Sequence, residues 1–288
     1  MKDHLIRITT VDGTWRATAA VTTALVEEIR RRQDSDPIAT MAIGRLATGA
    51  ALLSSLLKDD QRLAIMVEGN GPLQKLHAET DARGRVRGAL KVPRIPLAET
   101  MAQLSVAEAV GRAGFLHVVK DLGLKEPYRG MVQLVSSEIA EDLAYYLTTS
   151  EQIPSSVALG VALQEDGRVG VAGGFLIQAL PPVDESAVAL LEDRLRQLPS
   201  TTTLLREGRG PRQILEQLFA GLPFHDHGET ALSFHCGCHR RQILQLLRAL
   251  GRQELEDILA NGEAPVVTCE YCGERYPVTR EELAALLH

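Results

Sequence analysis

Cysteine is missing from residues 1–235, and all four cysteines of the chain fall within the last 53 positions. A disulfide framework would spread its cysteines through the fold, so this clustering points instead to metal or redox chemistry in a reducing compartment. Positive charge is also in short supply: 31 Lys and Arg stand against 37 Asp and Glu, for a net charge of -6. That balance argues against a protein built to coat nucleic acid, which needs a local excess of Lys and Arg. The first ten residues lack the apolar run of a secretory signal, with Asp3 and Arg7 among them, so a cytoplasmic location is expected. The apolar stretch 38–57 is broken by Gly44, Arg45, Gly49 and several Ser and Thr, which fits a buried helix rather than a membrane span. The chain contains neither a Gly-x-x-x-x-Gly-Lys-Ser/Thr loop nor a Gly-x-Ser-x-Gly elbow, and nothing else in it suggests an ATP-driven machine or an enzyme.

What is present suits an α+β protein. With 288 residues and 45% apolar content, the chain can form one large domain and a smaller one. A strand pair is expected around Asp12-Gly13, followed by a helix capped by Thr23 and a second, centrally buried helix started by Asp36-Pro37. Leu63, Ile65 and Val67 alternate and open a β-meander that turns at Gly69-Asn70-Gly71 and again at 81–84. Further strands are expected at 115–120, 131–135, 157–164 and 169–180, with a helix at 137–148. Residues 1–179 thus read as an N-terminal mixed α/β domain with a large β-sheet. Pro181-Pro182 stops the last strand, and 180–230 reads as a helical linker. Its two amphipathic stretches carry Val188, Leu191, Leu195 and Leu198, then Ile214, Leu215, Leu218, Phe219 and Leu222 after Pro211. These are either ordinary surface helices or a hinge whose apolar faces are covered only conditionally.

Residues 231–288 form the third part. Cys236-Gly237-Cys238 and Cys269-Glu270-Tyr271-Cys272-Gly273 are separated by the 30 residues 239–268. Two close cysteine pairs joined by a helical excursion supply the four thiolates that zinc favours, so Zn2+ on Cys236, Cys238, Cys269 and Cys272 is the expected cofactor. Gly237 offers the backbone freedom that the tighter pair needs. Helical periodicity at 240–250 and 254–259, a helix stop at Asn261-Gly262, a strand at 266–268 and a Thr279–Glu282 capping box complete a small module. A module of this size has little core of its own and depends on a staple. His235 and His239 flank the first pair, but a complete set of four cysteine ligands leaves them no vacancy. His225 and His227 read as solvated loop residues. A closed shell leaves no open position for water and so excludes hydrolytic zinc catalysis. The site is then an inert staple or a redox switch, because thiolates are the form that oxidants attack.

The chain resembles the 33 kDa chaperonin family of redox-regulated heat-shock chaperones. The likeness rests on Phe234-His235-Cys236-Gly237-Cys238, on Cys269-Glu270-Tyr271-Cys272-Gly273 and on Tyr276. Gly69-Asn70-Gly71-Pro72-Leu73, Gln152-Ile153-Pro154-Ser155-Ser156 and Gly173-Gly174-Phe175-Leu176-Ile177-Gln178 add to it. The resemblance implies a bacterial cytoplasmic holdase that works without ATP and is inactive while reduced and zinc-bound. It implies disulfides Cys236–Cys238 and Cys269–Cys272 on oxidation, zinc release, unfolding of the C-terminal module and loosening of the linker. Partners would be unfolding client proteins and a second copy of the chain in an active homodimer, with no nucleic acid and no membrane. Two other readings compete. A zinc-ribbon nucleic-acid binder would use His239-Arg240-Arg241, although residues 232–288 hold six Arg and no Lys against eight Asp and Glu. A thiol oxidoreductase would use Cys269 and Cys272, yet such pairs belong at a helix start after a strand.

Overall fold

The hairpin at the start of the chain forms strands β1 (His4–Thr10) and β2 (Trp15–Val21), with Thr9 opposite Arg16. A computed structural model of the protein describes residues 1–96, 105–182, 185–260 and 265–287. Helix α1 (Thr23–Gln33) follows, but Thr23 does not cap it. The carboxylate of Asp3 does so from the other end of the hairpin, accepting from the backbone N–H groups of Ala24 at 3.2 Å and Leu25 at 2.6 Å. Thr23 instead accepts a bond from the Ala172 N–H. Helix α2 (Pro37–Ser54) starts as its sequence predicts, with Asp36 Oδ1 accepting from the Ala39 N–H at 2.8 Å. Its apolar residues occupy nearly every side, and almost all of them are buried.

The meander forms β3 (Arg62–Gly69), β4 (Lys75–Asp81) and β5 (Arg85–Leu90). A short helix α3 (Val106–Val110), not expected from the sequence, receives the β3–β4 turn through a bond from the Gly71 N–H to the Val110 carbonyl. A side chain at Gly71 would place its Cβ 2.4 Å from the Ala109 carbonyl oxygen, which is why glycine is required there. Strands β6 (Gly114–Asp121) and β7 (Tyr128–Gln133) come next, followed by helix α4 (Ala140–Thr149). This helix begins later than expected because Ser137 and Ile139 adopt left-handed backbone, with φ of 64° and 62°. Strands β8 (Ser155–Leu163) and β9 (Val169–Ala179) complete the part read as a domain.

The chain then departs from the three-part division. Helices α5 (Glu185–Gln197), α6 (Thr201–Arg206) and α7 (Pro211–Leu218) lead into a strand β10 (Phe224–Ala231) that pairs antiparallel with β1. A two-residue strand β11 (Ser233–Phe234) pairs parallel with β5. One compact unit therefore runs from Met1 to His235, and 180–230 lies within it. The physical reason is the second face of the β1–β2–β9 sheet, where Ile6, Ile8, Ala19, Phe175 and Ile177 need cover. Leu191, Leu205, Ile214, Leu215, Leu218 and Phe219 of the three helices and the residue that follows them supply it.

This first unit is a mixed α/β fold with two sheets, ordered β10-β1-β2-β9-β8 and β11-β5-β4-β3-β6-β7. Helix α2 lies between them and contributes Ile43, Leu46, Ala50 and Leu53 to a core shared with Leu63, Ile65, Leu76, Leu116 and Leu176. By length and composition α2 could cross a membrane, but it is buried inside this unit.

The second unit, Cys236–His288, holds α8 (Arg240–Arg248), α9 (Arg252–Ala260), the hairpin β12 (Val266–Thr268) and β13 (Arg275–Pro277), and α10 (Arg280–Leu286). The expected helix stop at Asn261-Gly262 lies outside the described residues. The Thr279–Glu282 capping box is formed. Among the described residues, Ile243, Leu247, Leu255, Val278 and Leu283 make up the buried apolar core of this unit, with partly buried side chains such as Leu259 and Val267 packed against them.

Asp36 does two jobs, since its other carboxylate oxygen accepts from the Ile95 N–H at 2.7 Å. Asp36→Ala should destabilise the first unit by about 1–2 kcal/mol. A urea titration of the full chain measures this, and an unchanged midpoint would remove α2 capping as a contributor.

Candidate metal centre

Each cysteine pair sits in a loop whose shape is set by neighbouring elements. Cys236 and Cys238 occupy the extended segment between β11 and α8, and His239 ends it as the helix cap. Its Nδ1 accepts from the Gln242 N–H at 3.2 Å, so the imidazole is engaged away from the sulfurs. Cys269 and Cys272 lie in the turn of the β12–β13 hairpin, whose last pair is Thr268 opposite Arg275. The Cys269 N–H donates to the Glu274 carbonyl and the Gly273 N–H to the Cys269 carbonyl, each at 2.9 Å. Left-handed backbone falls at Gly273, with φ of 72°, and not at Gly237 as its position between two cysteines suggested.

The four Sγ atoms all lie within 4.8 Å of one another. Cys236 approaches Cys269 at 3.7 Å and Cys238 approaches Cys272 at 3.3 Å, with no disulfide among them. Sulfurs bound at ~2.3 Å to one tetrahedral ion sit roughly 3.8 Å apart. The cluster therefore has the dimensions to hold a metal ion, and its all-sulfur donor set favours a soft or borderline one.

Protonation supports the same conclusion. Burial, followed by crowding from the other sulfurs, pushes the Cys272 thiol well above its ordinary value of 9.0. Burial also raises Cys238, partly offset by the Tyr276 hydroxyl, which donates to its Sγ at 3.2 Å. Tyr276 is itself raised, first by that bond and then by burial. A cluster this unfavourable for thiolates needs a cation to become anionic.

Tyr276 is the functional residue whose role the sequence did not disclose. It enters there as part of the family likeness, without a contact assigned to it, and the hairpin register is what turns it toward Cys238. Arg240 is a second. It bonds Glu282 through Nε at 2.9 Å and the Pro277 carbonyl at 2.9 Å, tying the start of α8 to the start of α10. His225 and His227 lie on strand β10 rather than in a loop, and His227 bonds the Thr9 hydroxyl at 2.9 Å.

Comparison with known proteins gives consistent matches. The family model described as Hsp33 protein matches residues 3–279. The 33 kDa chaperonin of Syntrophotalea carbinolica is 62% identical over 287 residues, covering 100% of both chains. That of Geobacter sulfurreducens is 49% identical over 284 residues, covering 99% of this chain and 94% of its own. The crystal structure of the 33 kDa chaperonin from Thermotoga maritima superposes with a TM-score of 0.89 at 36% identity, covering 99% of this chain and 97% of that one.

Two outcomes follow from the geometry. Because Cys238 and Cys272 are raised, metal uptake must displace their protons, so apparent affinity should climb as pH rises through the neutral range. Tyr276→Phe should weaken metal binding about tenfold, the scale of lost outer-shell hydrogen bonds. Competition with a chromophoric chelator at several pH values measures both, and a flat pH profile would contradict the first.

Proposed function

The chain belongs to the Hsp33 family, and we propose that it is a redox-switched holdase whose four cysteines bind zinc while reduced and form disulfides when oxidised. The family is one of chaperones. The observation that carries the switch is the convergence of four sulfurs, within 4.8 Å of one another, in a unit whose fully buried core among the described residues is five side chains.

Bound zinc would hold the sulfurs as thiolates and contribute roughly 10–16 kcal/mol of apparent binding free energy, against ~5–15 kcal/mol for the stability of a whole domain. The same thiolates are what peroxide or hypochlorite attacks. Two thiolates lose two electrons to form one S–S bond, and peroxide leaves as two hydroxide ions. In a tetrahedral cluster every sulfur neighbours the other three, so the short approaches of Cys236 to Cys269 and Cys238 to Cys272 select no pairing. Sequence proximity does, once the module loosens, and favours Cys236–Cys238 and Cys269–Cys272. With its ligands tied into disulfides the module loses its staple and unfolds.

Chain connectivity carries the effect onward. The module begins one residue beyond β11, and β10 precedes it as an edge strand with mostly exposed side chains. The β11–β5 pairing spans only two residues, and exposed edge pairings open at lower free-energy cost than central ones. Loosening them frees the segment that begins with α5–α7, the helices covering Ile6, Ile8, Phe175 and Ile177. We assign client binding to that uncovered apolar face, in a bacterial cytoplasm, without ATP or turnover, and with a homodimer as the active form. The oxidoreductase reading loses ground because Cys269 and Cys272 lie in a hairpin turn and not at a helix start.

Zinc-loaded protein treated with peroxide or hypochlorite should release the metal, lose its thiols and begin to suppress aggregation of a heat-unfolded client. Peptide mapping should recover the two local disulfides. Equal suppression by the reduced and oxidised forms would overturn the switch.

A further inference from the structure

Between the two sheets, beyond the C-terminal end of α2, lies a cavity of about 260 Å³. One wall is aliphatic, formed by Leu53, Leu57, Leu63 and Leu122. The other carries Arg16, Lys120 and Glu151. Lys120 and Glu151 pair with each other, and both side chains are largely buried, so together they are neutral.

Arg16 is different. Its Nε and Nη2 donate to the Gln178 side-chain oxygen at 3.1 and 2.8 Å, a neutral acceptor held in place by the Ser155 hydroxyl. Among the described residues no carboxylate lies within ion-pair distance of Arg16. Its charged neighbours include Arg7, whose Nη1 is committed to the Ser55 carbonyl at the end of α2. Burial, then Arg7, makes the charged form of Arg16 less favourable than in water, and Glu151 offsets this only in part. The cavity wall thus carries one excess positive charge facing aliphatic surface.

We propose that this cavity binds a small amphipathic anion, a carboxylate on an unbranched alkyl chain. Its head group pairs with Arg16 and its chain lies on the leucines. A cavity on the order of 150 Å³ already accommodates benzene, so the volume suffices for a short chain. A bare inorganic anion would leave the leucines unused, and a neutral alcohol would leave Arg16 uncompensated. Arg16 and Lys120 are partly exposed, which gives the head group a way in.

The test is a titration of octanoate into the full-length, reduced, zinc-loaded protein, followed by leucine-methyl NMR, with octanol as the neutral counterpart. Saturable shifts are expected at Leu53, Leu57 and Leu63. Octanol should bind more weakly by about tenfold or more, the worth of a hydrogen-bonded charge, and Arg16→Gln should reduce octanoate to the level of octanol. Absence of saturable shifts at those leucines, shifts centred instead on the exposed Leu246 and Leu250, or equal affinity for octanoate and octanol would overturn the proposal. The octanoate-to-octanol ratio needs no variant, so the outcome stands even if Arg16→Gln fails to fold.

Discussion

Four sulfurs from two loops, separated by 30 residues of chain, converge to within 4.8 Å, and the second unit has little else to hold it in one shape. Its five-residue apolar core would not stabilise a separate fold of this length, given the conformational entropy that ordering each residue costs. The tie from Arg240 to Glu282 is partly exposed and contributes little. Uncompensated, Cys238 and Cys272 resist ionisation, chiefly through burial. A metal held by those four atoms would supply the missing constraint, and that dependence would make the module suitable for the proposed switch.

The first unit has the opposite character. Helix α2 is buried between two sheets, and most of the apolar surface it meets belongs to strands with partners on both sides. Removing one contact leaves many others, so local chemistry does not unfold it. At the margin of this unit lie α5–α7, which cover the second sheet face, and the edge strands β10 and β11. These elements come last before the cysteine module in sequence, so the proposed loosening would reach them first.

Local patterns in the sequence disclosed much of this. The alternation of Leu63, Ile65 and Val67, the Asp36-Pro37 start and the Thr279–Glu282 box each depend on residues a few positions apart, and each is found as read. The cysteine spacing disclosed the cluster for the same reason. What escaped was set by distant residues. Asp3 caps α1 across a hairpin, and Tyr276 reaches Cys238 only through hairpin register. Strand β10, reading Phe-His-Asp-His-Gly-Glu-Thr-Ala, shows no apolar alternation because it is an exposed edge, paired to β1 through its backbone. The division at residue 179 failed for a related reason: periodicity identifies an amphipathic helix but not the sheet face that it covers.

A metal-held module also explains why the proposed switch should be steep. A hydrophobic core weakens in proportion to the side chains lost, whereas a tetrahedral cluster loses most of its binding once two of its four ligands are gone. Oxidation of one cysteine pair thus removes the common attachment point of both loops. The chain between them, α8, α9 and the β12–β13 hairpin, then has only its small core to oppose unfolding. Since local disulfides close loops of only a few residues, they restrict the unfolded chain hardly at all, and oxidation does not replace the lost constraint with a new one. Under the proposed switch, the same four sulfurs would order the module in one redox state and leave it disordered in the other.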